Sequence, residues 1–154
     1  MATGARNQQT GQAGENFVAA ELNRRGAYAV TFSGNMPNID IIASNLEQTK
    51  TANIQVKTKR KGDWQTTTKL GKKQNRRPKE TNFWIFVDLK DLDQLPDYYV
   101  VPDWWIRNDI YERHQEYIKR YSGKRKINPA STHHSINYRR IEKWKDRWDI
   151  LKIF

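Results

Sequence analysis

An acid, an amide and an amine stand inside two runs of strand-forming residues. Asp40 lies in Ile39-Asp40-Ile41-Ile42-Ala43, and Gln55 and Lys57 lie in Ile54-Gln55-Val56-Lys57-Thr58-Lys59. Burying a polar group without a partner costs about 2–7 kcal/mol, so such residues in core-like strands need an ion, a charge partner or hydrogen bonds. Strand side chains alternate faces, which puts Gln55, Lys57 and Lys59 on one face and Ile54, Val56 and Thr58 on the other. The polar link over residues 44–53 is short enough for the two runs to pair as an antiparallel hairpin, bringing Asp40 beside Gln55 and Lys57. A carboxylate, a side-chain amide oxygen and a main-chain carbonyl form a hard oxygen set suited to Mg²⁺. An ammonium beside them can orient an attacking water and stabilise a phosphorane-like transition state. A structural ion pair between Asp40 and Lys57 at a sheet edge is the competing reading.

A further carboxylate favours the site. Residues 14–25 read as a helix ending at Gly26. Val18, Ala19 and Leu22 follow Glu15 by three, four and seven residues, so Glu15 heads the apolar stripe, while Glu21 falls off it. The helix macrodipole accounts for an acid near a helix start but not for its facing the core.

This order of elements, over residues 14–61, resembles the PD-(D/E)xK, or restriction-endonuclease-like, nuclease superfamily. The resemblance implies that Glu15 is the helix acid, Asp40 the motif aspartate, Gln55 the middle ligand, with the Val56 carbonyl completing the set, and Lys57 the catalytic lysine. The stretch from Gly14 through Asp40 is similar to small Holliday junction resolvases. Two departures are visible: Pro37 lies three residues before Asp40 rather than directly before it, and Gln55 replaces the usual acid. Some superfamily members, including a group I intron homing endonuclease, carry Gln at that position. The amide keeps the oxygen and loses the charge.

Charge points to a polyanionic partner. The chain has 154 residues and a formal net charge of +11, from 28 Lys and Arg against 17 Asp and Glu. Much of the excess follows the second strand directly, in Lys59, Arg60, Lys61, Lys69, Lys72, Lys73, Arg76 and Arg77, with Asp63 the only acid from Lys50 to Lys79. Such a block neutralises phosphates and releases counterions, the main source of nonspecific nucleic-acid affinity. A solvated basic surface is the bland alternative. With no cysteine there is neither a disulfide framework nor a Cys-based zinc site, and His114, His133 and His134 show no metal spacing. No secretory signal or membrane-length apolar run is present, so a cytoplasmic chain away from membranes is expected.

The remaining elements follow from periodicity and breakers. Residues 1–12 are polar and Gly-rich and read as a frayed lead-in. Strands are expected over 27–32, 83–89 and 98–101, with a turn over 33–37 and a hairpin link over 91–97. Residues 69–76 read as a short helix, or as a basic loop closing over DNA. Asp103 can cap a helix to Tyr121, with Ile106, Ile110, Arg113 and Tyr117 at helical spacing. A basic loop with Lys124, Arg125 and Lys126 occupies 122–132, and His133 and His134 fall in loop. A last helix covers 138–147, with Ile141, Trp144, Trp148 and Leu151 as its stripe and tail. Six Trp and seven Tyr could stack on bases, but Trp144 and Trp148 read as core.

The expectation is a single nuclease-like α/β domain over 1–154, a restriction-endonuclease-like mixed sheet flanked by helices. The function that follows is Mg²⁺-dependent hydrolysis of DNA phosphodiester bonds, with Mn²⁺ as substitute; RNA is left open. The resemblance to resolvases implies a homodimer presenting two sites. The alternative is a noncatalytic DNA-binding module on a degenerate nuclease fold, which Gln55 favours and the retained Glu15 and Lys57 oppose.

Overall fold

The structure, a computed structural model, describes residues 3–32, 34, 36–124 and 131–154. In chain order it consists of α1 (Thr3–Arg24), β1 (Tyr28–Thr31), β2 (Ile41–Ser44), β3 (Thr51–Lys59), β4 (Trp64–Thr67), β5 (Asn82–Asp88), β6 (Asp97–Pro102), α2 (Asp103–Tyr121), β7 (His133–Ile136) and α3 (Tyr138–Ile141), with 3₁₀ turns at Thr68–Leu70, Glu142–Trp144 and Trp148–Leu151. Five strands form one mixed sheet in the spatial order β1-β2-β3-β5-β6. β1, β2 and β3 are an antiparallel meander, β3 and β5 run parallel, and β6 returns antiparallel to β5. The fold is α/β, a mixed sheet flanked by helices, as the sequence leads one to expect.

β5 explains the two layers. Its run Phe83-Trp84-Ile85-Phe86-Val87 is buried on both faces, so its alternation sends apolar groups both ways. Phe83, Ile85 and Val87 join Val18 and Leu22 of α1, Ile41, Ala43, Ile54 and the C-terminal Trp148, Leu151 and Ile153. Trp84 and Phe86 meet Ile106 and Ile110 of α2, together with Trp64, Ile136 and Ile141. Gly14 sets the spacing of the first layer. A methyl group there would collide with the Thr58 side chain on β3, so only glycine lets α1 come this close to the strand.

Several elements differ from expectation. α1 starts at Thr3, so the segment read as frayed is helical through residue 12. Its exposed first turns carry no apolar stripe; Thr10 is tied to the residue that follows β3, where Arg60 Nε–H donates to Thr10 Oγ1 at 2.7 Å. Asp40 sits just outside β2 rather than within it. Residues 69–76 are neither a full helix nor a free loop: only the turn Thr68–Leu70 is helical, and beyond it the chain is tied to α2 by Lys72 N–H to Arg107 O and Gln74 N–H to Asn108 Oδ1. β4 and β7 were not foreseen as strands. Their pairing joins residues some seventy positions apart, which no local pattern reveals, and it takes His133 and His134 out of loop. The final helix breaks after Ile141 into 3₁₀ turns, yet Ile141, Trp148 and Leu151 are buried, and Trp144 half-buried, as their stripe requires. Asp103 is the first residue of α2 rather than its cap; it is buried, accepting from Trp84 Nε1–H at 2.8 Å and pairing with Arg107. The turn positions Ser33 and Asn35, and Arg125 and Lys126 of the expected basic loop, lie outside the described residues.

His134 ties the β4–β7 ribbon to the body. Its Nε2 faces the Arg140 guanidinium at 3.1 Å, and Arg140 in turn pairs with Asp109 of α2 at 2.6 Å. Burial, reinforced by the Arg140 charge and by His114 and His133 against a smaller opposing pull from Asp109, lowers the imidazole from 6.5 to about 4. A folded-state pKa below the unfolded one means that unfolding takes up a proton. The stability that follows is therefore full above about pH 6.5 and is lost as pH falls toward 4. Urea denaturation across this window should show declining stability, and His134→Gln should flatten the upper part of the decline, where ordinary carboxylates do not yet titrate.

Candidate active site

The site forms where β2 parts from β3. The ladder between them runs from Ser44↔Thr51 to Ile41↔Ile54 and then stops. At Asp40 the main-chain N–H still donates to Ile54 O at 2.8 Å, but the next rung is made by a side chain: Val56 N–H donates to Asp40 Oδ2 at 2.7 Å. One carboxylate oxygen thus replaces a strand, and β2 is free to turn away. The N–H and C=O of a strand residue leave by the same edge, so the Val56 carbonyl points into the opening beside Asp40.

β3 delivers Gln55 and Lys57 to one face, as its alternation requires, while Ile54 and Val56 pack toward α1. Gln55 Oε1 is buried and has no hydrogen-bond partner within the protein. Such an oxygen costs about 1–3 kcal/mol unless something else satisfies it. Lys57 stands with its Nζ 5.8 Å from the centre of the Trp84 ring, and burial lowers its ammonium below the usual lysine value, against the pull of Asp40. Glu15 follows Gly14 on α1, at the helix's closest approach to β3. Burial first, and then the Asp40 charge, raise its carboxyl above the ordinary range. The two carboxylates therefore repel one another, and the lysine has lost part of its hydration.

The structure thus sets four residues around Asp40: Val56 by its N–H, Gln55 opposite it in the continued register, and Glu15 and Lys57 near enough to feel its charge, with no Asp40–Lys57 ion pair among the described residues. Two carboxylates in mutual repulsion, an amide oxygen without a partner and a main-chain carbonyl are a donor set that fits a hard divalent cation. Among the described residues no group of three or more His, Cys, Asp or Glu side chains could hold a metal.

The basic residues do not form one patch. Lys59 is engaged within the fold, donating to Gly62 O at 2.6 Å, facing Asp88 at 3.5 Å and lying over Trp64. Arg60 and Lys61 are exposed and, with Arg6 and Thr10 of α1, line a groove that reaches Thr58. Lys69, Lys72 and Lys73 are exposed along the crossing past α2. Arg76 and Arg77 lie beside Thr49 and Thr51, at the opposite end of β3 from Lys61, about 26 Å away by strand rise. Sequence reasoning missed Arg6 and Thr10, because the first turns of α1 carry no apolar pattern, and it missed Trp84 as the wall behind Lys57. The step from Gly14 to Glu15 was the available signal for the close helix approach.

No protein-family model matches the chain, and no curated protein matches it in sequence. Among solved structures the fold is similar to that of a bacterial homing endonuclease, with a TM-score of 0.51 and 13% identity, over 94% of this chain and 93% of the other. The fold is nuclease-like. Among the described residues no helix is long and apolar enough to cross a membrane.

Because Asp40 completes the Val56 rung, its removal acts on the fold as well as on the site. Asp40→Ala should lower stability by about 1–3 kcal/mol in urea denaturation through the orphaned Val56 N–H. Asp40→Asn keeps an acceptor oxygen there and should lie close to wild type.

Proposed function

We propose that the chain is a divalent-metal-dependent DNA endonuclease. The observation that carries this reading is the buried, partnerless Gln55 Oε1 opposite Asp40, whose charge in turn raises the Glu15 carboxyl. Glu15, Asp40, Gln55 and the Val56 carbonyl would hold Mg²⁺, with Mn²⁺ as substitute. When bound, the ion supplies Lewis-acid polarisation of the phosphoryl oxygens and offsets the charge that develops on them. Lys57 orients the attacking water and adds positive charge on the same side. Trp84, whose ring centre lies 5.8 Å from the ammonium, would help to restrict it. Asp40, fixed by the Val56 N–H, presents its carboxylate in one orientation. Arg60, Lys61, Lys69, Lys72 and Lys73 would meet flanking phosphates, whereas Arg76 and Arg77 could do so only on DNA that spans the length of β3.

The structural neighbour is a homing endonuclease, which supports DNA as the substrate class. The resemblance of residues 14–61 to the PD-(D/E)xK superfamily, which includes Gln-bearing members, points the same way. One observation favours the noncatalytic alternative: the donor set contains only two carboxylates.

Purified protein should cut supercoiled, linear or four-way-junction DNA with Mg²⁺ or Mn²⁺, and Lys57→Ala and Asp40→Asn should each reduce the rate by about a hundredfold or more. Loss of cutting with circular dichroism unchanged is the expected pattern; no cutting of any of these DNAs by the wild type sinks the enzyme reading. Calorimetric titration of Mn²⁺ separates the two alternatives. Gln55→Glu should tighten binding, because Mg²⁺-type sites rely on anionic oxygens, and Asp40→Asn should weaken it. If neither substitution moves Mn²⁺ affinity, the noncatalytic reading becomes the better one.

A further inference from the structure

The β4–β7 ribbon carries a face that the proposed chemistry leaves unused. Trp64 and Ile136 are buried on its inner side, and alternation turns Thr66 and His134 the same way. Gln65, Thr67, His133 and Ser135 therefore share the outer face, paired across the strands as Gln65↔Ser135 and Thr67↔His133. All four are amide, hydroxyl or imidazole side chains, and no Lys, Arg, Asp or Glu stands among them. In a chain of which 29% is charged, the one cation at the β7 edge among the described residues is Arg140, whose Nη1–H donates to Ser135 O at 2.8 Å, and the outer face itself carries no charge. Here the ribbon offers only neutral hydrogen-bonding groups.

Those groups are held in a row. Ser135 Oγ–H donates to Gln65 Oε1 at 3.3 Å, and His133 Nε2 lies 3.2 Å from the same hydroxyl. Gln65 Nε2–H donates to Asp63 O at 3.1 Å. The amide is thereby fixed, with one proton and one oxygen lone pair to spare. A donor and an acceptor side by side on one amide match the N7 and N6–H edge of adenine in the major groove.

Cations frame this neutral strip. Gln65 lines the same groove as Arg6, Arg60, Lys61 and Lys90, which outnumber Asp63 and Asp91 on its wall, and the groove reaches Thr58. Lys69, just past β4, and Arg139, just past β7, are exposed. Positive rims around a neutral centre complement a duplex, whose phosphates flank the base edges. The major groove of B-DNA, about 12 Å wide, admits a two-stranded ribbon, whereas that of A-form RNA is too narrow.

We propose that the β4–β7 ribbon enters the major groove of duplex DNA and reads base pairs through Gln65, Thr67, His133 and Ser135, so that the cutting is sequence-selective. The cutting rests on the endonuclease reading; the recognition does not. Selection of bound molecules from a duplex DNA library with a randomised core, carried out in EDTA so that nothing is cut, tests it directly. Wild type should enrich one motif, and Gln65→Ala should lose preference at a single A·T pair by about tenfold or more while keeping its affinity for unselected DNA. His133→Ala and Ser135→Ala should relax neighbouring positions, and an RNA duplex of the selected sequence should compete no better than an unrelated one. Failure to enrich any motif, or a motif that Gln65→Ala leaves unchanged, overturns the proposal. Plasmid cutting is scored separately: Gln65→Ala should still cut with Mg²⁺, at more sites. A Gln65-dependent motif in a protein that cuts nothing would leave the ribbon standing and remove the nuclease, and cutting without a motif would do the reverse.

Discussion

A carboxylate doing the work of a backbone group holds the centre of this molecule together. β3 is paired on both sides until Ile54, and beyond that point its β2 edge would be bare. Asp40 Oδ2 takes the Val56 N–H and so allows the two strands to separate without leaving a buried donor unmet. The opening created by that separation lies at Asp40, whose charge both Glu15 and Lys57 feel. Without the substitution of side chain for strand, β2 would continue along β3, and its side chains would occupy the space the site requires.

The helix that closes the site is held to a similar tolerance. Gly14 lies against Thr58 with no room for a methyl group, and Glu15 is the next residue. Close contact at position 14 therefore fixes the depth at which the acid enters the opening. The resulting electrostatics are unfavourable in isolation: Asp40 pushes the Glu15 carboxyl upward, and burial makes the Lys57 ammonium easier to deprotonate. Strain of this kind, gathered in one place within an otherwise well-paired sheet, is the pattern expected where a fold keeps groups for chemistry rather than for stability.

The chemical residues were legible because they break strong local patterns. An Asp among isoleucines, a Gln and a Lys alternating with apolar residues, and a Glu at the head of an apolar stripe each violate a period that otherwise fixes the element. Those periods also identified β5, β6, α2 and the mixed-sheet class. What could not be read locally was set by distant partners. β4 and β7 become strands only because Trp64–Thr67 finds His133–Ile136, and the first turns of α1 form without any apolar stripe to announce them. α3 is shorter than its stripe implies for a related reason: Trp144 and Trp148 do point inward at roughly helical spacing, but 3₁₀ turns bring them there. The basic block read as one footprint along the chain is divided in space because β3 and the crossing to β5 carry its members to opposite ends of the sheet.

The first hydrophobic layer has a consequence for the order in which the chain becomes competent. Val18 and Leu22 of α1 share their cluster with Trp148, Leu151 and Ile153, and the Arg25 guanidinium lies 4.9 Å from the centre of the Trp148 ring. The parallel pairing of β3 with β5 likewise waits on a long crossover. Contacts so far apart in sequence make folding slow. During synthesis, α1 can settle on β1, β2 and β3 once they have emerged, but the share of its layer made by Trp148, Leu151 and Ile153 comes only with the last-made residues. A ribosome-bound fragment can carry every residue of the site and still lack part of the layer that backs it.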